Sequence, residues 1–155
     1  MDQVPASKWV TIEARPEPID LDLTRTAVIV VDMQNAFLSP EGMFDKAGYD
    51  ISGAAATVAA NARVLPALRA AGVKIVYLAM SYSADYADAG GAHSPNRQKE
   101  LGLKLMRELP QYQGMFVTQG TWDERIVDEI APAAGDVVVR KQRYSGFAGT
   151  NLDLV

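Results

Sequence analysis

The chain has 155 residues, of which 48% are hydrophobic and 22% are charged, and it contains no cysteine. These proportions exclude collagen-like, low-complexity and disulfide-stapled proteins, and the length predicts a single domain. The 15 Lys and Arg residues against 19 Asp and Glu residues give a formal net charge of -4, so we expect no nucleic-acid partner and no membrane partner. Apolar runs are too short for a membrane span and Met1–Arg15 lacks an apolar signal segment, which predicts a cytoplasmic protein.

The first half of the chain predicts one strand and one helix after a polar start. Residues 1–25 are polar and carry three prolines, which indicates an extended lead-in. Residues 26–32 form a β-branched run that is apolar on both faces, as is typical of a parallel strand covered by helices. A long loop over 33–51 precedes a helix over 52–71, in which Pro66 predicts a kink or a break.

The second half predicts two more strands, each preceded by a helix. Residues 73–79 form a strand, and a long polar loop over 80–96 leads to a helix over 101–109. The capping-box sequence at 121–124 predicts the start of another helix, and 136–140 is the third strand. Strands that alternate with helices predict an α/β protein with a parallel, Rossmann-like sheet in a three-layer α/β/α arrangement.

The last residues, 150–155, resemble the first turns of a further helix. This pattern predicts that residues 1–155 form a single incomplete domain whose C-terminal part is missing. A docking of Leu152, Leu154 and Val155 on the core is the alternative that the sequence leaves open.

Residues just after each strand are the candidates for chemistry, because ligands bind at the carboxyl ends of parallel strands. Asp32 follows the first strand, Tyr82 lies in the loop after the second, and Lys141 follows the third. An acid and a lysine are therefore expected on one rim of the sheet. A purely structural salt bridge at the sheet edge remains an equal alternative, since ion pairs also occupy such rims.

Missing motifs argue against several other chemistries. The sequence has neither of the two glycine-rich phosphate-binding motifs, G-x-G-x-x-G and G-x-x-x-x-G-K-[ST], and it lacks the G-x-S-x-G turn of serine hydrolases. His93 is the only histidine and is interpreted as a solvated loop residue. With no cysteine beside it, we expect no metal site.

Four stretches of the chain resemble one enzyme family. Residues 27–37, AVIVVDMQNAF, resemble the first-strand signature of the isochorismatase-like cysteine hydrolases. Residues 89–96 (AGGAHSPN), 120–123 (GTWD) and 141–147 (KQRYSGF) are similar to its ureidoacrylate amidohydrolase branch, which acts in oxidative pyrimidine breakdown. The resemblance extends from about Ile19 to the end of the chain.

This resemblance implies catalysis by an Asp, a Lys and a Cys. Asp32 matches the family's acid and Lys141 its lysine, whereas the matching cysteine position would fall beyond Val155. The implied reaction is hydrolysis of a C–N bond in a small ureido or carbamoyl substrate, with Asp32 as general base and no metal or organic cofactor. The resemblance also implies a homo-oligomer, which we expect to be a dimer or a tetramer.

Five further residues are candidates for binding the substrate. Asn96, Ser94 and Tyr82 could form hydrogen bonds with a ureido group, and Arg143 or Tyr144 could contact a carboxylate. For each of them a solvated loop position, or packing in the case of Tyr144, is the alternative.

The substrate itself stays open at this point. Met80 and Tyr82 stand where the ureidoacrylate branch has Asn and Trp, so biuret or an N-carbamoyl amino acid is an alternative substrate. A non-catalytic relative that only binds a partner, or an inactive fragment, is the alternative from a different functional class.

Overall fold

A computed structural model describes residues 6–155 as strands, five α-helices and short 3₁₀ turns. The strands are β1 (Trp9–Ile12), β2 (Ile19–Asp22), β3 (Ala27–Val31), β4 (Lys74–Met80) and β5 (Val137–Lys141). The helices are α1 (Asn35–Leu38), α2 (Met43–Lys46), α3 (Ala54–Ala70), α4 (Pro95–Lys99) and α5 (Leu101–Glu108). The 3₁₀ turns are Leu23–Arg25, Ala87–Ala89, Pro110–Tyr112, Asp128–Ile130 and Leu152–Leu154.

The last three strands of the chain form a parallel sheet in the order β3-β4-β5. Val31 pairs with Leu78 on one side of the central strand, and Met80 pairs with Lys141 on the other. The carboxyl ends of all three strands therefore lie at the same edge. The predicted α/β class with a parallel sheet is confirmed.

The two faces of this sheet are covered differently within residues 6–155. Leu65 of α3 is buried in a cluster with side chains of β3 and β4, and α3 runs through Pro66 without a break. On the opposite face Leu152 packs against Leu78 and its neighbours, while Ile29 remains half exposed. The segment 150–155 thus forms a 3₁₀ turn rather than the predicted α-helical start. Of the three residues that the alternative docks on the core, Leu152 contacts it, whereas Leu154 and Val155 are exposed.

The lead-in over residues 1–25 is more structured than its composition indicates. Residues 1–5 lie outside the described part, but β1 and β2 pair as an antiparallel hairpin from Trp9 opposite Asp22. The Asp22 carboxylate accepts hydrogen bonds from the backbone N–H groups of Lys8 and Thr24, which closes the base of the hairpin. Paired backbone groups stabilise this polar segment without a large apolar core of its own.

The α-helix predicted from the capping box at 121–124 is wrong. Thr121 Oγ1 accepts a hydrogen bond from the Glu124 N–H, but the chain continues through turns to a single 3₁₀ turn. The backbone of Ile126 instead forms an antiparallel bridge with Gln34, and the Glu124 carboxylate accepts a hydrogen bond from Ser81 Oγ. Tertiary partners therefore satisfy groups that a helix would have used internally.

The core under α3 gives a direct test of this packing. Replacing Leu65, which is 2% exposed, with alanine should lower the free energy of unfolding by about 2–5 kcal/mol, because the cavity left behind only partly collapses. The neighbouring Val64 is 51% exposed, so Val64→Ala is the matched control and should change it by less than about 1 kcal/mol. Urea unfolding measures both, and equal losses would contradict the assigned face of α3.

Within residues 6–155, no helix is both long and apolar enough to cross a membrane. The oligomeric state and the cytoplasmic location remain predictions.

Candidate active site

The site begins where β3 and β5 end on either side of β4. Asp32 follows β3 with a left-handed backbone φ of 54°, and its N–H donates a hydrogen bond to the carbonyl of Leu78, 2.9 Å away. Aspartate tolerates this region better than most side chains. Lys141 is the last residue of β5. The parallel order thus brings together two residues that are 109 positions apart in the chain.

Asp32 and Lys141 form a close ion pair. The Lys141 Nζ lies 3.0 Å from each carboxylate oxygen of Asp32, and it donates a hydrogen bond to Oδ2. Oδ1 is shielded from solvent, and apart from this contact it has no hydrogen-bond partner within residues 6–155. The lysine side chain is 3% exposed and the aspartate side chain 31%. The ammonium is therefore desolvated and interacts with both carboxylate oxygens.

A cavity of about 430 Å³ contains this ion pair. Its lining combines three charged residues with aromatic and apolar side chains: Asp32, Glu100, Lys141, Phe37, Met43, Phe44, Tyr49, Met80, Leu101 and Tyr144. This volume is in the range of small-molecule sites, and an apolar wall with a few polar groups is their usual composition.

Glu100 is a charged residue of the cavity that the sequence did not reveal. It is 3% exposed, and its Oε1 and Oε2 accept hydrogen bonds from the N–H groups of Gly102 and Leu103 at the start of α5. Burial raises the pKa of Glu100, and those two N–H groups and the nearby Lys141 ammonium oppose the shift. Glutamate is not among the preferred N-cap residues, so no sequence signal marked this position.

Gln34 fixes the strand ends beside the ion pair. Its amide nitrogen donates to the carbonyls of Met80 and Glu124 at 2.8 and 2.6 Å, and its amide oxygen accepts from the Met80 N–H at 2.7 Å. The side chain is fully buried. Such complete satisfaction of a buried amide rigidifies the edge that carries Asp32.

Asp123 is hydrogen-bonded to the backbone of Met43, which lines the cavity, and its burial gives a pH-dependent prediction. Its oxygens accept hydrogen bonds from the N–H groups of Met43 and Val117, and burial raises its pKa from 3.8 to about 6. Between about pH 4 and pH 6 the Asp123 carboxyl is protonated in the folded chain but ionised in the unfolded chain. The contribution of this carboxyl to stability is therefore lost as pH rises from about 4 to 6.

Carboxyl-selective NMR titration measures this pKa directly. We expect a midpoint for Asp123 near 6. A midpoint for Asp123 at or below its ordinary value would contradict the burial argument.

Three of the predicted substrate residues are absent from the cavity lining, and two of them, Asn96 and Tyr82, contact each other. Asn96 Nδ2 donates a hydrogen bond to the Tyr82 hydroxyl at 3.1 Å, and that hydroxyl donates to the Gln142 carbonyl at 3.2 Å. Tyr82 is fully buried, which raises its pKa. Ser94 precedes α4 on the same loop. Their role in binding remains a prediction.

The two residues predicted to contact a carboxylate are separated. Tyr144 lines the cavity and is largely exposed. The Arg143 guanidinium donates hydrogen bonds to the carbonyls of Asp88 and Gln142, at 3.1 and 2.7 Å, and is absent from the cavity lining.

No metal site is evident in the described part of the chain. His93 is exposed, and residues 6–155 hold no group of three or more His, Cys, Asp or Glu side chains suited to a metal ion.

Comparison with known proteins decides the family. The model of the isochorismatase domain matches residues 26–155. The chain belongs to the isochorismatase family. The resemblance seen in the first strand and in the later motifs is thereby confirmed at the level of the family.

One curated relative and two solved structures are consistent with this membership. The chain is 51% identical, over 149 residues, to ureidoacrylate amidohydrolase RutB of Rhizobium rhizogenes, covering 96% of this chain and 61% of that protein. A cysteine hydrolase from Pseudomonas syringae is 33% identical with a TM-score of 0.65, over 86% of this chain and 54% of that one. N-carbamoylsarcosine amidase of Thermoplasma acidophilum is 29% identical with a TM-score of 0.54, over 83% and 58%. The chain thus spans less than two thirds of these relatives' lengths.

Proposed function

We propose that this chain supplies the acid and the lysine of an amidohydrolase that cleaves a C–N bond in a small ureido or carbamoyl compound. The observation that carries the proposal is the contact of Asp32 with Lys141 at 3.0 Å, inside a cavity at the carboxyl ends of the strands. Membership of the isochorismatase family supports it, and so does 51% identity to a ureidoacrylate amidohydrolase. A carbamoyl group is the feature shared by the substrates in the names of two relatives.

The nucleophile is proposed to be a cysteine supplied by polypeptide beyond Val155. Residues 1–155 contain no cysteine, and the chain covers 61% of the ureidoacrylate amidohydrolase and 54% of the protein named as a cysteine hydrolase. The source polypeptide is therefore proposed to extend beyond Val155.

In the proposed reaction, the Asp32 carboxylate accepts the thiol proton while the Lys141 ammonium beside it favours the resulting thiolate. The sulfur bonds to the carbamoyl carbon, and the carbonyl electron pair moves to oxygen to give an oxyanion. The C–N bond then breaks, and the leaving nitrogen takes the proton from Asp32. Water attacks the resulting S-carbamoyl intermediate with its proton passing to Asp32, and the C–S bond breaks to restore the thiol and release a carbamate. The carbamate decomposes to carbon dioxide and the second nitrogen product, so ammonia is released whichever of the two C–N bonds breaks first.

Ammonia release by the source polypeptide tests the proposal. We expect ammonia from carbamoyl compounds, and we expect prior treatment with iodoacetamide to abolish the release because it alkylates the thiol. Hydrolysis that survives complete alkylation would contradict the cysteine mechanism, and an absence of ammonia from every carbamoyl compound would contradict the activity.

A further inference from the structure

We propose that Glu100 makes the cavity selective for carbamoyl substrates whose remaining part is uncharged, and that it disfavours substrates that carry a carboxylate. This inference rests on the function proposed above and narrows its substrate class. It separates the chain from the substrate in the name of its relative, ureidoacrylate, which is a carboxylate.

The charges that line the cavity do not balance. Asp32 and Lys141 form an ion pair at 3.0 Å, and Glu100 contributes a second carboxylate to the same cavity, with no salt bridge of its own within residues 6–155. The Glu100 side chain is itself buried, and like charges repel each other more strongly beside a desolvated group than in bulk solvent. A substrate carboxylate that enters the cavity therefore meets a net negative lining.

A compensating cation is absent from the lining in the part of the chain that the structure describes. Arginine is the usual partner of a substrate carboxylate because its two parallel N–H donors match the carboxylate oxygens. The arginine that the sequence analysis offered for this role, Arg143, donates hydrogen bonds to backbone carbonyls instead. Lys141 is already held by Asp32.

Glu100 is also placed to bind a neutral ureido group. Each of its oxygens accepts one backbone hydrogen bond from α5 and retains a second acceptor site. A ureido group presents N–H donors, which such a site accepts. Burial raises the pKa of Glu100, and the same two backbone bonds partly offset that effect, so the test below is run at about pH 8.

Two substrates that differ only in charge test the proposal on the source polypeptide. N-carbamoyl-β-alaninamide is neutral, and N-carbamoyl-β-alanine carries a carboxylate of nearly the same shape. The free amine, β-alaninamide or β-alanine, is the product measured, because the carboxamide of the neutral compound is a second source of ammonia. At about pH 8, we expect kcat/KM for the amide to exceed that for the acid by roughly tenfold or more, as expected for one desolvated like-charge contact. Glu100→Gln should reduce this preference by roughly tenfold, mainly by improving hydrolysis of the acid.

Two further variants make the result decisive. Glu100→Ser removes the charge and retains an N-cap for α5, so it replaces Glu100→Gln if that variant fails to fold. Glu108→Gln removes an exposed carboxylate from the same helix and should leave the preference unchanged. The wild-type ratio of kcat/KM for the amide to kcat/KM for the acid tests the charge preference without any substitution.

The outcomes separate this inference from the proposed function. Hydrolysis of the acid as fast as the amide by the wild type would overturn the role of Glu100, as would an unchanged ratio in both Glu100 variants, while the amidohydrolase activity stands. If neither compound releases its free amine, the proposed function fails and the inference fails with it.

Discussion

Asp32→Asn is expected to lower kcat/KM of the source polypeptide for a carbamoyl substrate by about 10²- to 10⁴-fold, because the general base is lost. The same change is expected to lower the free energy of unfolding by about 3 kcal/mol, because removing one partner of a buried ion pair leaves the other charge buried and unpaired. The unpaired charge is the Lys141 ammonium, whose side chain is only 3% exposed. Ammonia release and urea unfolding measure the two effects.

The matched control for this variant is Asp128→Asn. Asp128 is exposed and does not line the cavity, so activity should be retained and stability should change by less than about 0.5 kcal/mol. Wild-type turnover by Asp32→Asn would remove Asp32 from the proposed mechanism and leave the alternative of a structural salt bridge.

Lys141→Met is expected to reduce kcat/KM by about 10²-fold or more, because one preorganised positive charge beside the reacting groups is lost. Its effect on stability should be much smaller than that of Asp32→Asn. The carboxylate that remains is 31% exposed and can be hydrated, and methionine fills a comparable volume. The exposed Lys74 at the start of β4 provides the control Lys74→Met, which should retain full activity.

The double variant Asp32→Asn/Lys141→Met separates the two roles of the pair. We expect it to be more stable than Asp32→Asn alone, because the unpaired buried cation is gone, and to remain inactive. A double variant as unstable as the sum of the single changes would show that Asp32 stabilises the fold by contacts other than the ion pair.

The sheet and the ion pair were predictable from local pattern because both follow from strand chemistry. The run before Asp32 is β-branched and apolar on both faces, as a covered parallel strand requires, and β5 has a similar run before Lys141. The rule that ligands lie at the carboxyl ends of parallel strands then places both side chains at one edge. No knowledge of distant contacts was needed.

Glu100 and Glu124 were not predictable because their roles depend on partners far along the chain. Glu100 lies between α4 and α5, and nothing in the local sequence distinguishes it. Only the fold brings it into the cavity with Lys141. Glu124 completes a capping-box pattern, yet its carboxylate accepts a hydrogen bond from Ser81 Oγ at the edge of the sheet. A local motif predicts a helix only while no tertiary partner competes for the same groups.

Intact mass spectrometry of the source polypeptide, before and after iodoacetamide, tests the central claim most directly. The claim that Asp32 and Lys141 act with a cysteine beyond Val155 predicts a mass above 16.7 kDa and the gain of at least one carbamidomethyl group, with loss of ammonia release. A mature polypeptide of 16.7 kDa that takes up no such group would contradict it.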